Sequence, residues 1–245
     1  MREPDAAFAD ARQAVLYDAL DGDRSDLDAY LAVIDEVSAR RVVDIGCGTG
    51  SLAVRLAGAG IAVVGVDPAA ASLDVARTKP GAGHVTWVHG DATALDPGLA
   101  ADVAVMTGNV AQVFVADEDW LRTLHAVHAV LRPGGWFVFE TRRPEARDWE
   151  SWDLPPTPVT LPDGRTVTVS RTVTDVALPL VRFEGSTIID GQILRSASTL
   201  RFRGRDEVEH DLREHEFAVA DVREAPDRPG KELVFLARSI AGQPT

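Results

Sequence analysis

The chain has 245 residues, 45% hydrophobic and 26% charged, enough to bury a proper core in one domain carrying an embellishment. Its formal net charge of -13 repels phosphate backbones and anionic lipids, which argues against nucleic acid and membrane surfaces as partners. No apolar run reaches membrane-spanning length, the amino terminus lacks the apolar core of a signal peptide, so a cytoplasmic location is expected, and the single cysteine, Cys47, excludes an intrachain disulfide.

Residues 1–40 read as a helical leader. Phe8, Val15, Leu16, Ala19 and Leu20, then Leu27, Tyr30, Leu31 and Ile34, recur at helical spacing, with a break near Gly22. Next, Val42, Val43 and Ile45 form the short β-branched run of a strand covered on both faces, with Asp44 placing a carboxylate at its carboxyl end. Gly46, Gly48 and Gly50 follow at alternate positions, so main-chain N–H groups and the start of a helix at Ser51 can face a ligand directly. Cys47 needs only to be small there. A dinucleotide fingerprint requires its third glycine where Ser51 stands, and Asp44 would repel a pyrophosphate, whereas a carboxylate suits an ammonium group.

Later strand ends supply further polar groups. Residues 61–66 read as a buried strand ending at Asp67, where an acidic side chain accepts hydrogen bonds from ribose hydroxyls, and Pro68 stiffens the turn. A third strand over 84–89 ends in Gly90-Asp91-Ala92, and a fourth over 102–106 runs into Thr107-Gly108-Asn109. Leu131-Arg132-Pro133-Gly134-Gly135 turns into a fifth strand over 136–140. In this order, over about 100 residues, these motifs resemble the class I S-adenosylmethionine-dependent methyltransferases.

The resemblance implies an α/β fold: a Rossmann-like, seven-stranded, mostly parallel sheet with helices on both faces. It implies S-adenosyl-L-methionine as cofactor, S-adenosyl-L-homocysteine as product, and an O or N atom of a small-molecule acceptor as the methylated group. Asp44 would then meet the methionine ammonium, directly or through water, while Gly46, Cys47, Gly48 and Gly50 present main chain. Asp67 and Pro68 would serve the ribose, Asp91 and Ala92 the adenine edge, and Thr107, Gly108 and Asn109 the methionine part and sulfonium. In the family such a leader often covers the cofactor, so Tyr17 or Tyr30 either touches its methionine end or simply packs.

Residues 142–204 break the α/β rhythm and read as an insertion between core segments 41–141 and 205–245. Pro155, Pro156 and Pro158 mark an irregular entry, and Asp163-Gly164 and Asp190-Gly191 signal hairpins, giving an antiparallel meander of three or four strands. At the carboxyl ends of the core strands it becomes a lid over the second substrate. Arg142 and Arg143 are placed to fix an acidic acceptor. Trp149 and Trp152 either wall its pocket or pin the lid to the core. Arg171, Arg182 and Arg195 suit a carboxylate or phosphate, or equally guard strand edges.

Glu140, ending the fifth strand, is a candidate general base for an alcohol or phenol, or else a strand-end partner for those arginines. An amine needs only to be neutral. None of the six histidines has metal-ligand company, and His210 is left as a candidate acceptor contact. A helix over 206–215 and strands over 217–222 and 232–237 close the core; the two strands resemble the sixth and seventh of the family, where the last runs antiparallel between the fifth and sixth, and Glu216 stands where the family tends to have a glycine. A nicotinamide-dependent oxidoreductase and a non-catalytic cofactor-binding module are the alternative functions, and both monomer and homodimer remain open.

Overall fold

Short, near-continuous apolar runs covered on both faces account for the central sheet of the computed structural model, which describes residues 3–22 and 24–240. The leader gives α1 (Ala6–Ala9), α2 (Ala11–Asp21) and α3 (Asp26–Glu36), one helix more than its pattern predicts because the backbone is extended at Asp10. The core continues through β1 (Arg41–Ile45), α4 (Ser51–Gly58), β2 (Ala62–Asp67), α5 (Ala70–Thr78), β3 (Val85–His89), β4 (Ala101–Met106), α6 (Asp117–Val130) and β5 (Leu131–Arg142). Four strands follow, β6 (Leu154–Thr160), β7 (Thr166–Ala177), β8 (Leu180–Ile189) and β9 (Gln192–Arg201), and then α7 (Arg205–Glu214), β10 (Phe217–Glu224) and β11 (Glu232–Ser239).

The seven core strands lie in the order β10-β11-β5-β4-β1-β2-β3. All neighbours are parallel except β11, which runs antiparallel between β5 and β10, as the resemblance implies. Alternate side chains separate onto two cores. Val43, Ala104, Met106, Phe137, Phe139 and Phe235 pack with Trp120 and Leu124 of α6 and Val208 and Leu212 of α7. On the other face Val42, Val103, Val105, Val138 and Val234 pack with Leu27 and Ile34 of α3 and Leu52 and Leu56 of α4. Among the described residues no helix is long and apolar enough to cross a membrane.

The meander forms a separate antiparallel sheet in sequential order, β6-β7-β8-β9. The prolines expected to mark an irregular entry lie instead inside β6. That strand pairs with β7 alone, and an edge strand tolerates residues without an N–H. Two apolar clusters line the sheet, one within the inserted segment and one against the leader. Trp149 and Trp152 pack with Val181 and Phe202, while Leu16 of α2 packs with Leu161 and Val167.

Glu216 ends the α7-to-β10 turn with φ +63°, a left-handed conformation that glycine adopts without steric cost. Its side chain is half exposed and lies 3.7 Å from His128, a contact worth little. Glu216→Gly is therefore expected to raise stability by about 1 kcal/mol, read as a higher midpoint in urea with unchanged slope. An equal or lower midpoint would show that the turn carries no such strain.

Candidate functional site

A parallel sheet leaves a crevice at the carboxyl ends of its strands where the chain order reverses, here between β1 and β4. The cavity found there is bordered by Asp44 to Thr49 after β1, Asp67 and Pro68 after β2, Gly90 to Ala92 after β3, and Thr107 and Gly108 after β4. The leader supplies Phe8, Tyr17 and Arg24 from above.

The glycines fold the loop tightly. Gly46 has φ +70°, and a Cβ there would sit 2.6 Å from Val110 Cγ2; at Gly50, with φ +77°, it would sit 2.4 Å from Trp87 Cη2. Only glycine permits both the turn and the approach of neighbouring side chains. Cys47 lines the cavity, and burial pushes its thiol well above the usual range, so it is a packing residue and not a reactive thiolate.

Asp44 is 1% exposed, and its Oδ1 is a buried acceptor with no hydrogen-bond partner among the described residues. Burial, then the charge of Asp67, pushes its carboxyl up to about 7, against the opposing N–H of Ala53. Asp67 accepts from the N–H of Gly48 at 2.8 Å and of Ala69 at 2.7 Å, so one carboxylate ties the glycine loop to the turn after β2. Asp91 is engaged by Thr93, through its N–H at 3.0 Å and its hydroxyl at 2.5 Å.

The leader is latched onto this loop. Thr49 Oγ1 donates to Asp18 Oδ1 at 2.6 Å, and Lys79 Nζ lies 2.6 Å from Asp18 Oδ2 and donates to Ser51 Oγ at 2.9 Å. Tyr17, one residue earlier on α2, reaches the cavity, and burial followed by the charge of Asp21 pushes its phenol up to about 12. Tyr30 goes elsewhere: it donates to Glu140 beneath the cavity.

Several expected site residues do not border the cavity. Asn109 turns its side chain away, donating through Nδ2 to Glu232 Oε1 at 2.9 Å. Glu140 is 6% exposed and accepts the Asn109 N–H at 3.0 Å and the Tyr30 hydroxyl, so both oxygens are committed below the cavity floor. Burial, then Glu232, pushes its carboxyl up to about 6. Arg142 lies 5.1 Å over the Trp152 ring and donates to Gln112 Oε1 at 3.0 Å. Trp149 and Trp152 meet Phe202 at centroid distances of 4.8 and 6.0 Å, so they pack within the inserted segment, against the exit from its sheet. Arg171 donates to the carbonyl of Trp152 at 2.8 Å, and exposed Arg195 offers its carbonyl to Gln13 Nε2 at 3.4 Å. Arg182 pairs with Asp175 at the surface.

The cavity also has walls that pattern reading passes over: Phe8 and Arg24 from the leader, and Val110, Val113 and Phe114 after β4. Arg24 did carry a signal, being the single cation in the acidic run 18–28. Among the described residues no group of three or more His, Cys, Asp or Glu is arranged to hold a metal ion.

A family model described as a methyltransferase domain matches residues 42–135. The chain is 28% identical to the cypemycin N-terminal methyltransferase of a Streptomyces species over 88% of this chain and 82% of that one. Further curated relatives, methyltransferases by name, are matched over 51% of their length or less. Among solved structures, an S-adenosylmethionine-dependent methyltransferase from Clostridium acetobutylicum superposes with a TM-score of 0.74 at 18% identity, over 94% of this chain and 98% of that one. CalS10 from Micromonospora echinaspora, an amino pentose methyltransferase solved with S-adenosylmethionine bound, superposes with a TM-score of 0.69 at 23% identity over 88% and 92%. With the motifs in order and the strand order they require, the chain carries a methyltransferase domain over residues 42–135 on the Rossmann-like fold seen in S-adenosylmethionine-dependent methyltransferases.

Proposed function

We propose that the protein transfers the methyl group of S-adenosylmethionine to the nitrogen of an amine on a small-molecule or peptide acceptor. The observation that carries the cofactor part is Asp44 Oδ1, a buried acceptor without a partner among the described residues, beside a tight loop whose Gly46 and Gly50 admit no Cβ. An ammonium group satisfies that oxygen. Arg24, half-buried and facing the same cavity, is placed for the methionine carboxylate. Asp67, with Pro68, serves the ribose hydroxyls, and Asp91 with the Ala92 N–H the adenine edge. Gly46, Cys47 and Gly48 offer main chain, and Tyr17, Thr107 and Gly108 border the transferring end.

When bound, the cofactor supplies a methyl group already activated on a sulfonium. The chain then has to align the acceptor and exclude water. Nitrogen is favoured because an alcohol or phenol needs a base, and none of the described residues at the methionine end suits that task. Tyr17 holds its proton up to about pH 12, and Glu140 is committed elsewhere. A neutral amine attacks without help, and its cationic form is drawn to a chain of net charge -13. The relatives named for an N-terminal amine and an amino sugar support the same reading. Arg142, Trp149, Trp152, Arg171 and Arg195 lie outside the cavity lining, in contacts within and beside the meander, and the meander braces α2 over the cavity.

Calorimetry with S-adenosylmethionine tests the cofactor part. Asp67→Ala is expected to cost about 1 to 3 kcal/mol of binding, since it removes acceptors from the ribose and the anchor of the Gly48 N–H. Binding of NAD in place of S-adenosylmethionine would overturn the assignment. Mass spectrometry after incubation with matched amine and hydroxyl panels tests the acceptor part: methylation confined to the hydroxyl panel would reject nitrogen.

A further inference from the structure

The loop after β4 has two consecutive left-handed residues, Gly108 at φ +67° and Asn109 at φ +62°. Asparagine adopts that region at some cost, so the surroundings must hold it there. Thr107 and Gly108 border the cavity, yet everything that fixes Asn109 lies beneath it. The main-chain N–H donates to Glu140 of β5, and Nδ2 donates to Glu232 of β11. Each carboxylate is held in turn: Tyr30 of α3 donates to Glu140 Oε2, and Arg228 Nη1 donates to Glu232 Oε1 at 2.6 Å, with Arg142 Nε 3.4 Å from the same oxygen.

We propose that Glu140 is a positioning residue: clamped by Tyr30, its carboxylate fixes the backbone of Asn109 and thereby the loop wall at the methionine end of the cofactor cavity. This rests on the cofactor reading above. Glu140 does not itself touch the ligand. The bond it accepts from Asn109 is charge-assisted, so protonation weakens the anchor and turns one oxygen into a donor facing the Tyr30 hydroxyl or the Asn109 N–H. The groups that face it are Tyr30 from α3, Asn109 from the loop, Glu232 from β11, Arg228 from the turn before that strand and Arg142 from β5 itself. Burial and Glu232 bring its titration to about pH 6, inside an accessible range.

The test is calorimetric titration with S-adenosylhomocysteine from pH 5 to 8.5, alongside thermal unfolding at each pH, for wild type, Glu140→Gln, Glu140→Ala and Tyr30→Phe. On top of the step near pH 7 that Asp44 contributes, wild type should lose affinity below a second inflection near pH 6. Glu140→Gln keeps an acceptor for Asn109 without ionising, so it should bind within about threefold of wild type at pH 8 and lack that inflection. Glu140→Ala should bind about tenfold more weakly at pH 8. Tyr30→Phe removes a donor that lowers the Glu140 pKa, so its inflection should move upward. Wild-type affinity in a folded Glu140→Ala, an unchanged inflection in Glu140→Gln, or an unmoved one in Tyr30→Phe would each overturn the clamp. Should Glu140→Ala not fold, the other two variants decide. A wild-type protein that binds no S-adenosylhomocysteine at any pH would instead overturn the cofactor reading.

Discussion

Asp44→Asn is expected to make the cofactor-free protein more stable at pH 8 while removing most of its affinity for S-adenosylmethionine. The folded carboxyl titrates near 7 where an unfolded aspartate titrates near 3.8, because burial and the neighbouring Asp67 oppose its charge. A raised folded pKa means that the native state holds a proton which the unfolded chain has released. The favourable contribution is complete below about pH 4, declines as pH rises, and is gone above about pH 7. Three pH units at about 1.4 kcal/mol each place the loss on the order of 4 kcal/mol. Asparagine cannot ionise, so urea unfolding at pH 4, 6 and 8 should show a flatter dependence than wild type and a crossover in its favour. Parallel profiles for the two proteins would remove Asp44 as their source. An ammonium ligand reverses the sign locally by favouring the carboxylate, so binding to wild type should release a proton near neutral pH and tighten as pH rises. Losing that charge-assisted contact costs about 1.5 to 3 kcal/mol, or roughly 10- to 150-fold in affinity.

Trp120→Ala should be the more damaging change to the fold, at about 3 to 5 kcal/mol. The indole is 1% exposed, meets Phe139 edge-on at 5.7 Å and Phe114 at 5.9 Å, and donates to Asp211 of α7 at 3.0 Å. Arg203, just past the meander, lies 5.1 Å over its face. One side chain thus joins α6, the sheet, α7 and the return from the insertion, and no smaller neighbour can collapse into its volume. Urea denaturation gives the number; a loss under about 1 kcal/mol would mean that the surrounding core repacks.

Backbone-scale features were legible because they depend on local pattern. The apolar runs Val42, Val43 and Ile45 and Phe137, Val138 and Phe139 each specify a strand, and three glycines at alternate positions a turn, while the sheet topology came only with the family resemblance that their succession carries. Side-chain direction was not legible, because it is decided by partners far away in sequence. Asn109 sits in the expected loop yet points at Glu232, 123 residues later. Glu140 ends the expected strand, but Tyr30 reaches it from the leader and occupies the oxygen a base would use. Trp149 and Trp152 stood open between walling a pocket and pinning the insertion, because the apolar face they cover belongs to Val181 and Phe202, distant in sequence. Asp18 is one of many acidic residues in its helix, and only the placement of Thr49 and Lys79 makes it a latch.

The three prolines of β6 also bear on self-association. With Pro155, Pro156 and Pro158 among its seven residues, that border of the small sheet lacks the regular row of N–H donors that another strand would need in order to add to it. Growth into an intermolecular ladder is thereby discouraged on one side, and the opposite border, β9, is engaged by Gln13 through the Arg195 carbonyl and by Gln112 through the Arg201 carbonyl. A sheet with one border short of donors and the other partly engaged can be long without becoming a template for fibres, which lets the chain carry an extended β appendage beside its methyltransferase domain.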